Sequence, residues 1–336
     1  MNGLKYMLFG AAGLLLASCS QEEMTQTDQG DGTLNVKLSL PADLATRAES
    51  EFGEGYTARM LTVNVYDADN NNSLVFSDPI SFGFEANSLS TTVSLDLAKG
   101  KNYNIAFFAQ SEAAKDVYTI DNATGIITVN YDKMTSDNNL QDYYDCFFAL
   151  LETGAIPTTT SYAEATLIRP VAQINWGTDD LDNVSINSDQ VYGQNVKNLQ
   201  TRLTTKAYTR FSMLDQDVVA GSNAAEIAIS GLKAPASDAY PFPVKPATYE
   251  YLSMQYVLAP KAAGVYDLVL TASNAAPQAD GTYAQGTYTN EIVVATANVQ
   301  ANYRTNIYGS LLTDNYKIFV EKDPTWNKPD NDKEIK

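Results

Sequence analysis

The sequence predicts an all-β protein built as two antiparallel β-sandwiches in tandem. Short runs with an apolar residue at every second position recur along the chain, separated by Asn, Asp, Gly and Pro clusters. That pattern marks strands with one face on a core and one in water. Residues suited to a pleated, half-buried surface are abundant, including 21 tyrosines. Helical periodicity is confined to two short stretches, Ala45–Tyr56 and Asn138–Tyr144.

The chain opens MNGLKYMLFGAAGLLLASCSQEE. One cation, Lys5, precedes an apolar run too short to remain as a membrane-spanning helix, so residues 1–18 read as a signal peptide. The run ends Leu16-Ala17-Ser18-Cys19, which resembles a bacterial lipobox, the alternative being an ordinary secretory signal with a chance cysteine. Small residues suit the signal-peptidase pocket, and the Cys19 thiol takes the diacylglycerol, which ties the mature chain to the outer membrane. Ser20-Gln21-Glu22-Glu23 resembles the acidic signal that sends Bacteroidetes lipoproteins to the outer face of that membrane. A polar linker fills residues 19–32.

A first sandwich is expected over residues 33–160. It begins with TLNVKLSL, where Leu34, Val36, Leu38 and Leu40 point one way and Asn35, Lys37 and Ser39 the other. Pro41 ends the ladder, and Arg47 follows in a polar run. RMLTVNVY, LVFSDPI, STTVSLDL, YNIAFFAQ and the pair DVYTID and GIITVNYD continue the strand pattern. The Gly/Pro/Thr-rich stretch Leu151–Leu167 reads as a boundary. A second sandwich is expected over residues 161–327, from TLIRPVAQINW to NYKIFVEK, and a polar tail over 328–336.

Composition narrows the function. Forty acidic residues against 22 basic ones give a formal charge of −18, which repels nucleic acid. The chain has no histidine, so Ser-His-Asp, Cys-His and histidine-zinc sites are excluded. Glycine-rich phosphate loops are absent. Asp179 and Asp180 form a carboxylate pair that could in principle serve a glycosidase, but in a chain with forty acidic residues a solvated loop is expected. Asp67, Asp69, Asn71 and Asp78 fall at calcium-loop positions, but Asn72 replaces the turn glycine and strands flank the segment, so a polar hairpin turn is expected. With Cys19 lipidated, Cys146 in YDCFFALL reads as a buried thiol. No catalytic residue, metal or cofactor is expected. Exposed tyrosines leave open a monomeric glycan-binding role.

The lipobox, the linker, the early strand followed by Thr46-Arg47-Ala48, the mid-chain LIRPVAQINW and the late NYRTNIYGSLLTDNYKIFV together resemble the fimbrillin-type lipoproteins of Bacteroidales. These are the type V pilins with their tip and anchor relatives. The resemblance spans nearly the whole mature chain, and Asn302–Thr313 is its more specific motif. It implies two transthyretin-like β-sandwiches and a non-catalytic fimbrial or adhesive subunit. It also implies proteolytic processing after Arg47, which displaces the strand of Leu34, Val36, Leu38 and Leu40 so that a neighbour's strand takes its place. Arg59 is a poor alternative cut site, because it opens a strand. Implied partners are other fimbrial subunits or a second copy, with a host or bacterial surface ligand. Tyr316, Ile318 and Val320 would be either a donor strand or the last strand of the second sandwich. An uncleaved anchor is the remaining alternative.

Overall fold

The computed structural model describes residues 7–8, 31–40, 57–80, 90–134, 141–180, 185–186, 190–191, 200–231, 242, 249–273, 278–279, 289–313 and 318–323. Cys19, Arg47, Tyr316 and the expected helix Ala45–Tyr56 lie outside the described residues. Of the second expected helix, Gln141–Tyr144 is a single 3-10 turn.

The fold is all-β, in packed, mainly antiparallel sheets. In the first sandwich one sheet runs Ser90–Ala98, Asp31–Ser39, Ser161–Thr166. The facing sheet runs Ser73–Ile80, Met60–Asp67, Tyr103–Gln110, Cys146–Glu152. Between them Leu34, Val36, Leu38, Leu61, Val63, Val65, Val93, Leu95, Ile105 and Phe107 form a core. Met7–Leu8 pairs with Val93 and Ser94 on the far edge of Ser90–Ala98.

The second sandwich repeats this plan strand for strand. Its sheets run Glu250–Leu258, Val171–Thr178, Arg304–Gly309, Ile318–Asp323 and Ile227–Ser230, Gln200–Thr205, Gly264–Ser273, Thr289–Val299. In both units the first strand lies between the fourth, antiparallel, and the seventh, parallel. In both, the opposite sheet is ordered third, second, fifth, sixth. The units differ at their sheet edges: Ile318–Asp323 covers the seventh strand in the second unit, whereas in the first no described strand covers Ser161–Thr166 and Met7–Leu8 lies on the fourth strand's edge.

Ser161–Thr166 corrects the expected boundary at residue 161. Those residues pair with Leu34–Ser39 and belong to the first sandwich. The Gly/Pro run before them is a packed crossover: Thr153 N donates to Tyr103 O at 2.8 Å, and Ile156 N to Lys101 O at 3.0 Å. The step from one sandwich to the next is the short stretch from Leu167 to Pro170.

A small sheet joins the two halves, in the order Tyr118–Asp121, Ile126–Val129, Arg210–Ser212, Asp217–Val218. It packs on the back of the first sandwich, bringing Tyr118 against Phe108 at 6.1 Å and Phe211 against Phe148 at 4.5 Å. Tyr66, Phe108 and Phe148 thereby join the apolar cluster of the second sandwich. Tyr103–Gln110 is therefore buried on both faces for most of its length, where the period-2 reading expects one solvated face.

Candidate functional site

The candidate site is the slot occupied by Asp31–Ser39. The strand alternates because Leu34, Val36 and Leu38 reach the core, at 5%, 0% and 0% exposure, and Leu40 beyond its end is 3% exposed. On one side it pairs antiparallel with Ser90–Ala98 through nine residue pairs, Asp31 opposite Ala98 to Ser39 opposite Ser90. On the other it pairs in parallel with Ser161–Thr166 through six. Thr33 Oγ1 donates to Asp96 Oδ1 at 2.9 Å. The Lys37–Glu164 pair, 3.7 Å apart, is exposed and contributes little. The four apolar positions predicted from sequence are thus brought together on one face.

Gly32 is a site residue that sequence reasoning missed. A Cβ there would lie 2.4 Å from Pro157 O and 2.8 Å from Ile156 Cγ2. The Ile156–Pro157 loop is fixed from the other side, where Gly100 N donates to Ile156 O at 2.8 Å. Nothing local in Asp31-Gly32-Thr33 signals this contact. It arises only when the crossover folds back.

Ile318 and Val320 lie on the last strand of the second sandwich. That strand pairs antiparallel with Arg304–Gly309, Ile318 opposite Gly309 and Val320 opposite Ile307. It is an exposed edge, with Phe319 at 51% and Val320 at 47%. Phe319 nevertheless stacks on Tyr308 at 5.4 Å, and Lys322 Nζ lies 4.2 Å from the centre of the Tyr303 ring.

The mid-chain and late motifs are neighbouring parallel strands, Val171–Thr178 and Arg304–Gly309. A buried polar ladder runs between them. Arg304 Nε donates to Gln173 Oε1 at 2.9 Å, and Asn175 Nδ2 to Asn306 Oδ1 at 2.8 Å. Gln173 Nε2 donates to Tyr256 OH at 3.0 Å, and Trp176 Nε1 to Gln255 Oε1 at 2.9 Å. Burial without partners would cost such groups heavily, so the motif is a structural device of the second sandwich.

The acid pair is part of that device. Asp180 is 3% exposed, which corrects the solvated-loop reading. Its carboxylate accepts from Thr313 N at 2.7 Å, Leu312 N at 3.1 Å and Thr313 Oγ1 at 2.6 Å, and also from Thr178 Oγ1. Asp179 accepts from Ser310 Oγ at 2.9 Å. Both acids thus fasten the turn after Arg304–Gly309.

The calcium-like segment is the hairpin between Met60–Asp67 and Ser73–Ile80, turned through Asn71 and Asn72 at φ 50° and 54°. Lys101 Nζ sits 2.8 Å from Asp67 Oδ2, and Asp69 accepts from Asn102 N and Nδ2 at 3.0 and 2.8 Å. Those hydrogen bonds hold the Asp69 carboxyl below its ordinary pKa. Among the described residues no three metal-ligating Cys, Asp or Glu groups come together. Cys146 is fully buried, and burial pushes its thiol well above the ordinary value, away from the thiolate a nucleophile needs. Tyr249, Tyr308 and Phe319 form an aromatic row, with centroids 4.9 and 5.4 Å apart. The Tyr308 and Phe319 rings stack on each other, 22° from parallel, so their facing surfaces are already covered.

Several solved structures resemble the chain at low identity. One is a candidate polysaccharide-binding protein (DUF1812) from Bacteroides thetaiotaomicron, with TM-score 0.47 and 12% identity over 86% of this chain and 95% of that one. Another is a candidate adhesin from Bacteroides ovatus, with TM-score 0.45 and 10% identity over 83% and 88%. A third is a fimbrial assembly protein from Parabacteroides distasonis, with TM-score 0.42 and 13% identity over 87% and 99%. No curated protein matches the chain. Residues 25–336 match the Family of unknown function (DUF6562), and the chain belongs to that family.

Proposed function

We propose that the chain is a non-catalytic surface lipoprotein that serves as a fimbrial or fimbria-like subunit and is assembled by strand exchange. Lipid on Cys19 holds the precursor to the outer membrane. Cleavage after Arg47 separates the Asp31–Ser39 strand from the rest of the chain, and a strand from another subunit then takes the slot.

The observation that carries this reading is the position of Asp31–Ser39. It is a central strand, paired on both edges, yet it precedes Met60–Asp67 and all later strands of its sandwich, so one cut behind it detaches it covalently from all of those strands. Burying its four apolar side chains is worth about 1.5–3 kcal/mol each. Its loss exposes an apolar trough flanked by the unpaired backbone groups of Ser90–Ala98 and Ser161–Thr166. An extended segment with alternate apolar side chains satisfies both needs at once. The corresponding strand of the second sandwich, Val171–Thr178, lies between Pro170 and Asp179 in mid-chain and cannot be released by a single cut.

The test is limited digestion of the soluble body, Ser20–Lys336, with an arginine-specific protease, read by intact mass. A single cut after Arg47, with the cut fragment exchanging for a labelled copy of itself, supports the reading. A folded protein that resists cutting at Arg47 rules out processing there, and a cut fragment that never exchanges rules out strand replacement.

A further inference from the structure

We infer that the slot of the first sandwich takes a strand from a different polypeptide and not the C-terminal strand of this chain. The inference rests on the strand-exchange reading and specifies its partner. The slot prescribes a pattern: a glycine at the Gly32 position, where Pro157 O leaves no room for a Cβ, followed by apolar side chains two, four, six and eight residues later. Leu34, Val36, Leu38 and Leu40 meet it in the resident strand.

The C-terminal segment fails this pattern in each alignment that uses its apolar residues. With Tyr316, Ile318 and Val320 at the positions of Leu34, Val36 and Leu38, Asp314 falls at Gly32 and Lys322 at Leu40. Moved two residues along, Asp314 takes the buried position of Leu34 and Leu312 that of Gly32. Run in the opposite direction, Lys322 meets the Pro157 carbonyl and Asp314 replaces Leu40. Each alternative buries a charge in an apolar trough or drives a side chain into fixed backbone. The segment is also engaged, through six residue pairs with Arg304–Gly309 and the Phe319–Tyr308 stack. The C-terminal strand of the chain therefore does not match the slot, whereas the resident Asp31–Ser39 strand does. The slot's partner carries the sequence Gly-x-apolar-x-apolar-x-apolar-x-apolar on a releasable strand.

The experiment uses the body Ser20–Lys336 with a specific protease sequence placed between Leu40 and Thr57, so that opening the slot does not depend on Arg47. After the cut, three fluorescent peptides are offered under exchange conditions: Asp31–Leu40, the same peptide with Gly32→Val, and Asp314–Asp323. The native-strand peptide is expected to bind, and the Gly32→Val peptide to bind about tenfold or more weakly. The Asp314–Asp323 peptide is expected not to bind, and the cut protein to remain monomeric on size exclusion. Binding of Asp314–Asp323 as tight as the native strand overturns the inference. So do homo-oligomers that disappear when the residues after Thr313 are deleted. Equal binding of the glycine and valine peptides removes the glycine requirement. If the native-strand peptide itself does not bind, the strand-exchange reading fails and the inference with it.

Discussion

Arg169 and Asp145 face each other in complete burial, with Arg169 Nε 2.9 Å from both carboxylate oxygens. Arg169 also lies with its guanidinium 4.6 Å from the centre of the Phe147 ring. Asp145 precedes the Cys146–Glu152 strand of the first sandwich, and Arg169 lies in the short step leading to the second. Removing one member leaves a buried charge without its counter-ion. Arg169→Met or Asp145→Ala alone should cost about 3–5 kcal/mol in chemical denaturation, whereas an apolar double replacement should recover most of that loss.

Asp180 should matter far more than Asp179, although the two are adjacent. The Asp180 carboxylate serves the backbone of Leu312 and Thr313, and Asp180→Ala orphans those donors. A loss of about 2–3 kcal/mol is expected. Asp179 makes one exposed bond to Ser310, so Asp179→Ala should stay within about 0.5 kcal/mol. Urea melts of the two variants make the comparison.

The hairpin at Asn71 should respond to backbone strain and not to calcium. Asn71 has φ 50°, a conformation costly for residues with a Cβ and no compensating polar side chain. Asn71→Ala should therefore cost about 1 kcal/mol and Asn71→Gly little or nothing. Millimolar calcium should leave the melting temperature of both unchanged, because Asp67 is paired with Lys101 and Asp69 with Asn102.

Stability should fall steeply in alkali. Burial raises the Cys146 thiol well above its ordinary 9.0, and raises the phenols of Tyr118, Tyr131 and Tyr266 above 10.0. Below pH 9 these groups keep their protons whether the chain is folded or not, and their contribution is fully present. Above pH 9–10 the unfolded chain releases protons that the folded chain retains. Each group then lowers stability by about 1.4 kcal/mol per pH unit until its folded-state value is reached. Denaturation midpoints followed from pH 8 to 11 should show this decline.

The strand pattern was legible wherever one face met the core and the other met water. Asp31–Ser39 is such a case, and so is Thr289–Val299. Other features depend on residues distant in sequence. Ser161–Thr166 alternates small and outward-facing residues, a pattern that fits either sandwich, and only its parallel pairing with Asp31–Ser39 assigns it. The Tyr118–Val129 hairpin could be read locally, but not its partner Arg210–Ser212, which turns the back of the first sandwich into a second interior. In the slot, the four apolar positions were evident from period alone. The glycine requirement was not, because the carbonyl that imposes it belongs to the Ile156–Pro157 loop, which is distant in sequence.

The parallel pairing of Asp31–Ser39 with Ser161–Thr166 also has a mechanical meaning. Pulled at its amino end, the first strand is drawn one way, while the chain leaving Thr166 for the second sandwich is drawn the other. Two parallel strands loaded in this sense slide past each other, so their hydrogen bonds share the force together and do not open one by one. An intact first sandwich should therefore yield to tension at a single high-force event, at the contact that also closes the slot.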